Sequence, residues 1–187
     1  MRTRCAWVTH DPLYIAYHDA EWGVPLRDDA KLFELLVLET FQAGLSWLTV
    51  LKKRENFRAA FDRFDAEKIA RYDEAKLESR MADSGIIRNR LKVQATVANA
   101  RAFLDAQASF GSFADYVWDF VGGEPQVNAW ASAAEVPATT PLATVFSTDL
   151  KQRGFRFVGP TVAYAFMQAS GMVMDHTKSC FRHAELI

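Results

Sequence analysis

Apolar residues recur at helical spacing along most of the chain. The run Leu32-Phe33-Glu34-Leu35-Leu36-Val37-Leu38 leads into Glu39-Thr40-Phe41-Gln42-Ala43-Gly44-Leu45-Ser46-Trp47. Leu32, Leu36 and Glu39 stand at i, i+4 and i+7, so they share one helix face. That face should meet the core, which places a carboxylate where carboxylates are seldom left without a partner. Asp28 is positioned to cap this helix, which should end near Thr40. Gly44 then breaks the pattern, and Ser46 is positioned to cap a second helix running to about Phe61.

The same reading predicts a short helix from Leu13 to Trp22 after Asp11-Pro12, and two more at Asp65 to Arg71 and Glu74 to Asp83. The longest helix should run from Arg88 to Gln107, with Val93, Val97, Ala100 and Leu104 on one face. Ser112 should cap a short helix to Phe120. Val121 to Pro141 holds Gly122-Gly123 and three prolines and should be irregular. A helix from Pro141 to Arg153 precedes Gly154-Phe155-Arg156-Phe157-Val158-Gly159. Pro160 then opens a helix to Gly171, where its missing N–H costs nothing. No segment alternates convincingly, so the expected class is all-α.

The chain has 187 residues and reads as one domain over 1–187. No apolar run reaches 18 residues, so no membrane-spanning helix is expected. The opening Met-Arg-Thr-Arg-Cys-Ala-Trp is not followed by the apolar stretch of a secretion signal, and a cytoplasmic location is expected. Nothing suggests more than a monomer. The formal charge of −1 means that any nucleic-acid binding must come from local patches. Two such patches are Arg88, Arg90 and Lys92, and Lys151, Arg153 and Arg156. Aromatics are dense near the start: Trp7, Tyr14, Tyr17, Trp22, Phe41 and Trp47 fall within the first fifty residues.

There are two cysteines and four histidines. Cys5 and His18 form a Cys-x12-His pair; His176 and Cys180 form a His-x3-Cys pair on one helical turn. Two thiolates and two imidazoles make a closed tetrahedral set for structural Zn²⁺, one that would fasten the first and last segments together. Other readings are a Cys5–Cys180 disulfide, which a reducing compartment disfavours, and four unrelated residues. The glycine-framed turn between the last two long helices has a helix-hairpin-helix pattern, suited to binding a phosphate on backbone N–H groups. It also reads as an ordinary turn in a helical bundle. Glu39 in turn reads either as a site carboxylate or as a helix-end carboxylate paired to an arginine.

Taken together, several stretches resemble the bacterial DNA-3-methyladenine glycosylase I family. They are Cys5-x-Trp7, Asp11-Pro12-x-Tyr14-x-x-Tyr17-His18-Asp19-x-Glu21-Trp22-Gly23-Val24-Pro25 and Glu39-x-x-Gln42-Ala43-Gly44-Leu45-Ser46-Trp47. Gly85-Ile86-Ile87-Arg88-x-Arg90, Arg153-Gly154-Phe155-x-Phe157-Val158-Gly159 and Asp175-His176-x-x-x-Cys180 complete the match, over roughly residues 4 to 180. The resemblance implies a helix-hairpin-helix DNA glycosylase acting on double-stranded alkylated DNA. It implies Cys5, His18, His176 and Cys180 as ligands of one structural zinc. It further implies Glu39, Tyr17 and Trp47 as the residues that grip the base, with Trp7, Tyr14 and Trp22 as further pocket walls.

The wider superfamily often carries a catalytic Asp after the hairpin helix. Here Asp175 directly precedes the expected ligand His176, which argues against a nucleophile or base at that position. Gln42, Gly44 and Leu45 are expected to fill the gap left in the duplex, with Leu45 as an apolar wedge. Gly154, Phe155 and Gly159 are expected to meet the DNA backbone. Two rival readings remain: a zinc-stabilised nucleic-acid-binding module without catalysis, and a zinc hydrolase with an open coordination position.

Overall fold

The structure, a computed structural model, describes residues 2–187 and is built mostly of helices. In order these are α1 (Pro12–Ala20), α2 (Asp29–Gln42), α3 (Trp47–Lys52), α4 (Arg54–Ala60), α5 (Ala66–Ile69), α6 (Glu74–Met81), α7 (Arg90–Phe110), α8 (Phe113–Asp119), α9 (Pro141–Gln152), α10 (Pro160–Ala169) and α11 (Phe181–Leu186). Their starts follow the side chains available. Asp11, Asp28, Ser46, Asp73, Asn89, Ser112 and Thr140 each accept a hydrogen bond from a backbone N–H of the first turn. Pro12, Pro141 and Pro160 occupy first-turn positions.

Two expectations are corrected. The helix foreseen from Ser46 to Phe61 is two, because Lys53 at φ −96° and ψ 1° leaves the helical region between α3 and α4. After α4, Asp62, Arg63 and Phe64 all take positive φ (49°, 55° and 60°), a left-handed turn that drives Phe64 into the core. The second correction is a pair of two-residue strands, β1 (Gln126–Val127) and β2 (Val173–Met174), paired in parallel with Gln126 opposite Val173. Two residues are too few for alternation to register in a sequence.

A contiguous cluster of buried apolar residues extends from Leu32 to Val173. Helix α2 runs through it: every residue from Leu32 to Phe41 is buried, Glu34 and Glu39 included. Helix α10 packs against α2 and α9, and α7 against α2, α5 and α8. The first segment is drawn onto the last at Gly171. Its φ is +75°, and a Cβ there would lie 2.5 Å from the Val24 and Pro25 backbone, so only glycine permits the approach. Next to it, the Leu26 N–H donates to Ser170 O at 2.9 Å.

Candidate functional site

Helix α1 carries Tyr17 and His18 side by side, both buried. His18 meets Cys5, His176 and Cys180; the candidate ligand atoms of these four lie within 4.8 Å of one another and all four residues are buried. Cys180 Sγ is 3.4 Å from His18 Nε2, and His176 Nδ1 is 3.5 Å from both Cys5 Sγ and Cys180 Sγ. Both cysteines are free thiols, which removes the disulfide reading. This set could hold one metal ion.

The surroundings fix each imidazole. His176 Nε2 faces the Trp22 carbonyl at 2.9 Å, so it carries the proton and leaves Nδ1 free. His18 Nδ1 faces Asp19 at 2.8 Å, and Asp19 is held by Arg4. That guanidinium pulls the Asp19 carboxyl down to about 2. Burial lowers His18 and takes His176 down to about 4, keeping both rings neutral as metal ligands require. Burial pushes the Cys5 thiol up to about 12, so it stays protonated unless a cation is supplied. Gly23 leaves room for the His176 ring, since a Cβ would meet its Nε2 at 2.9 Å.

Against the cluster lies a cavity of about 360 Å³. Trp7, Tyr14, Trp22, Tyr17 and Trp47 form its aromatic walls, with Glu39 among them. Trp7 packs on Tyr14 and Trp22 with centroids at 5.0 and 5.1 Å, and Tyr17 lies 5.4 Å from Trp47. Trp22 in turn lies edge-on to His176 at 4.7 Å, so the cavity wall and the cluster share a contact. Glu39 is 3% exposed, and burial alone pushes its carboxyl up to about 8. Among the described residues no arginine pairs with it. The arginine-paired carboxylate of α2 is Glu34, which takes Arg54 and Arg58. The Trp47 indole N–H is buried and unpartnered.

Gln42 reaches the same cavity from the last turn of α2, and its Nε2 donates to Leu45 O at 3.3 Å. Leu45 stands 39% exposed beside Gly44. Lys92 corrects the first basic patch. It is buried, its ammonium donating to Phe41 O at 2.9 Å and Ala43 O at 2.7 Å, a cation at the carbonyl end of α2. Arg90 is paired with Glu78 at 2.5 Å.

At the hairpin, Phe155 corrects an expectation. Its side chain is 2% exposed against Phe113, and its N–H is spent on Leu150 O, so it offers DNA neither group. Gly154 likewise gives its N–H to Lys151 O. Gly159 begins α10 with no side-chain cap, leaving that helix start open. Two buried residues that periodicity did not single out hold the hairpin. Asn99 accepts from the Arg156 N–H at 2.7 Å and donates to Arg156 O, and Ser147 donates to Val158 O at 2.6 Å. Between these, Phe157 is 38% exposed at φ +56°.

Asp175 lines the cavity and is saturated. Asn128 Nδ2 (2.7 Å) and Trp130 Nε1 (2.8 Å) donate to one oxygen; Gln168 Nε2 (2.9 Å) and the Tyr164 hydroxyl donate to the other. Four donors occupy the lone pairs a base or nucleophile would need.

A family described as methyladenine glycosylase matches residues 7–183. DNA-3-methyladenine glycosylase 1 of Escherichia coli (strain K12) is 53% identical over 177 residues, covering 95% of each chain. The DNA-3-methyladenine glycosylase of Haemophilus influenzae is 48% identical over 180 residues, covering 96% of this chain and 97% of its own. A crystal structure of a 3-methyladenine DNA glycosylase I superposes with a TM-score of 0.94 at 54% identity, covering 96% of this chain and 98% of that one. A tyrosine-to-phenylalanine variant of such an enzyme, solved in complex with 3-methyladenine, superposes with a TM-score of 0.93 at 39% identity, covering 95% and 96%.

Proposed function

This chain belongs to the methyladenine glycosylase family, and on that premise we propose that it flips 3-methyladenine out of alkylated duplex DNA and hydrolyses its N-glycosidic bond. The observation that carries the reading is Glu39, buried and without a cationic partner in an aromatic cavity. A carboxyl so placed is costly to ionise alone and favourable to ionise once a cation enters.

Alkylation at N3 makes the base cationic within the nucleotide, and the base departs neutral. The bond is already weak, so the work is recognition, extrusion and admission of water at C1′. Extrusion costs about a few kcal/mol, less for a poorly paired damaged base. Trp47 and Tyr17 offer faces to a cationic purine; stacking and cation–π attraction contribute on the order of 1–3 kcal/mol per base. Glu39 accepts hydrogen from the exocyclic amine and ionises against the ring charge, which a neutral adenine cannot induce. As the bond breaks, the same carboxylate faces the positive charge developing on the sugar. Among the described residues no lysine lines the cavity, which suits hydrolysis rather than strand cleavage through an imine.

We assign duplex binding to the corner and the hairpin. Leu45 wedges into the gap with Gln42 and Gly44 beside it. The open start of α10 at Gly159, flanked by exposed Lys151 and Arg156, takes a backbone phosphate.

We assign zinc to the Cys/His cluster. Zn–S and Zn–N bonds of about 2.3 and 2.05 Å at tetrahedral angles put sulfur and nitrogen ligands about 3.5 Å apart. Three of the four sulfur–nitrogen separations are 3.4 to 3.5 Å, and all four candidate ligand atoms lie within 4.8 Å of one another. With four protein ligands the ion would supply a cross-link and leave no position for water, which disfavours a zinc hydrolase. The whole chain then acts as one domain with its ends joined.

The test is release of free base from methylated duplex DNA. Liberation of 3-methyladenine is expected; intact duplex binding with no base release would leave only a binding module.

A further inference from the structure

Asp175 imposes a direction on a neighbour that also lines the cavity. An amide side chain can point either way round, but a carboxylate accepts only. Gln168 Nε2 donates to Asp175 at 2.9 Å, and the other three Asp175 contacts are donors too. The Gln168 amide is therefore locked with nitrogen toward Asp175. Its Oε1 is turned the other way, and among the described residues nothing donates to it. Gln168 lines the cavity that holds Glu39 and Trp47.

We propose that Gln168 is a specificity-determining residue: its carbonyl is a second hydrogen-bond acceptor in the base pocket beside Glu39, and it selects an exocyclic amine over a carbonyl. The proposal rests on the base-pocket reading given above. An amine offers two hydrogens, one to each acceptor. A guanine-type or hypoxanthine-type base presents an oxygen at that place; a protonated Glu39 can donate to it, but the Gln168 carbonyl cannot and would face it with no hydrogen between them. Buried acceptors left unpaired disfavour the wrong base more strongly than a matched pair favours the right one. Asp175 acts here as a positioning residue, since it keeps Gln168 from turning its NH₂ into the pocket.

The experiment is a cycle between protein and ligand. Dissociation constants are measured by calorimetry for 3-methyladenine and 3-methylpurine, which lacks the amine, with the unmodified protein and Gln168→Met. Deleting the amine should cost the unmodified protein about five- to tenfold more affinity than it costs the variant, the share of one neutral hydrogen bond. Gln168→Met should also bind 3-methylhypoxanthine relatively better than the unmodified protein does. Equal losses for both purines would mean that Gln168 only shapes the pocket, and would overturn the proposal. Gln168→Leu, of similar volume, repeats the cycle if the first variant melts early. Failure of the unmodified protein to bind 3-methyladenine at all would instead remove the base-pocket reading, and this proposal with it.

Discussion

Tyr17 and His18 are consecutive residues of α1, yet Tyr17 walls the aromatic cavity while His18 closes the Cys/His cluster. Any displacement of that one turn is felt on both sides. Trp22, which touches the cavity and lies edge-on to His176, repeats the link just beyond the C-terminal end of the helix.

Cys180→Ser should therefore lose metal and stability together. Loss of a structural ligand should lower the melting temperature by roughly 10 °C, with a smaller decrease in base affinity as α1 loosens. Metal analysis and a melting curve read it. An unmodified protein that carries no zinc would end the zinc assignment.

Glu39→Gln should separate function from stability. Base release from methylated duplex should fall steeply, because the carboxylate that answers the ring charge of the alkylated nucleotide is gone. Stability should move the other way. Burial raises Glu39 from its ordinary 4.5 to about 8, so between those values the folded state keeps a proton that the unfolded chain has released. Stability of the unmodified protein thus declines as pH rises through that window, by at most about 1.4 kcal/mol per unit, and is restored below it. The variant lacks this slope and should be more stable at pH 7 by roughly 2–3 kcal/mol at most. Denaturant titrations at pH 5 and pH 7 measure both; parallel curves would place Glu39 in a wetter or paired environment.

Lys92→Met should leave two carbonyls at the end of α2 without their donor. The expected loss is about 2–4 kcal/mol, together with slower base release from duplex as the Gly44–Leu45 corner shifts. Unchanged stability in urea would mean that water replaces the ammonium freely.

Leu45→Ala should leave both the melting temperature and the affinity for free 3-methyladenine unchanged. Release from duplex should fall on the order of tenfold, because the flipped state loses its wedge. Equal effects on free base and duplex would show that Leu45 shapes the pocket instead.

Much of this architecture was legible from local signals. Glu39 could be placed on a buried face because Leu32 and Leu36 precede it at helical spacing. The four metal-ligand candidates stood out because this chain has so few cysteines and histidines. Lys92, Asn99 and Asp175 were not legible in their roles. Lys92 and Asn99 are single polar residues whose partners lie far along the chain, a carbonyl 51 residues away and a peptide 57 residues away, and two of the four partners of Asp175 lie 45 and 47 residues away. Periodicity reports which face is buried, not which distant backbone group a buried polar atom will satisfy. Phe155 misled for a related reason. Its motif marks a hairpin, but the hairpin's outward positions fall to its neighbours.

The Cys/His cluster joins Cys5 to His176 across 171 residues. During synthesis, α1 and the aromatic cavity wall leave the ribosome with half of their anchor still untranslated. The helices between can fold around α2 first, but Tyr17 and Trp22 cannot be locked until Cys180 emerges. A nascent or prematurely terminated chain would thus hold a nearly complete helical body and an unfinished pocket. The capacity to break glycosidic bonds would be switched on only once Cys180 had emerged.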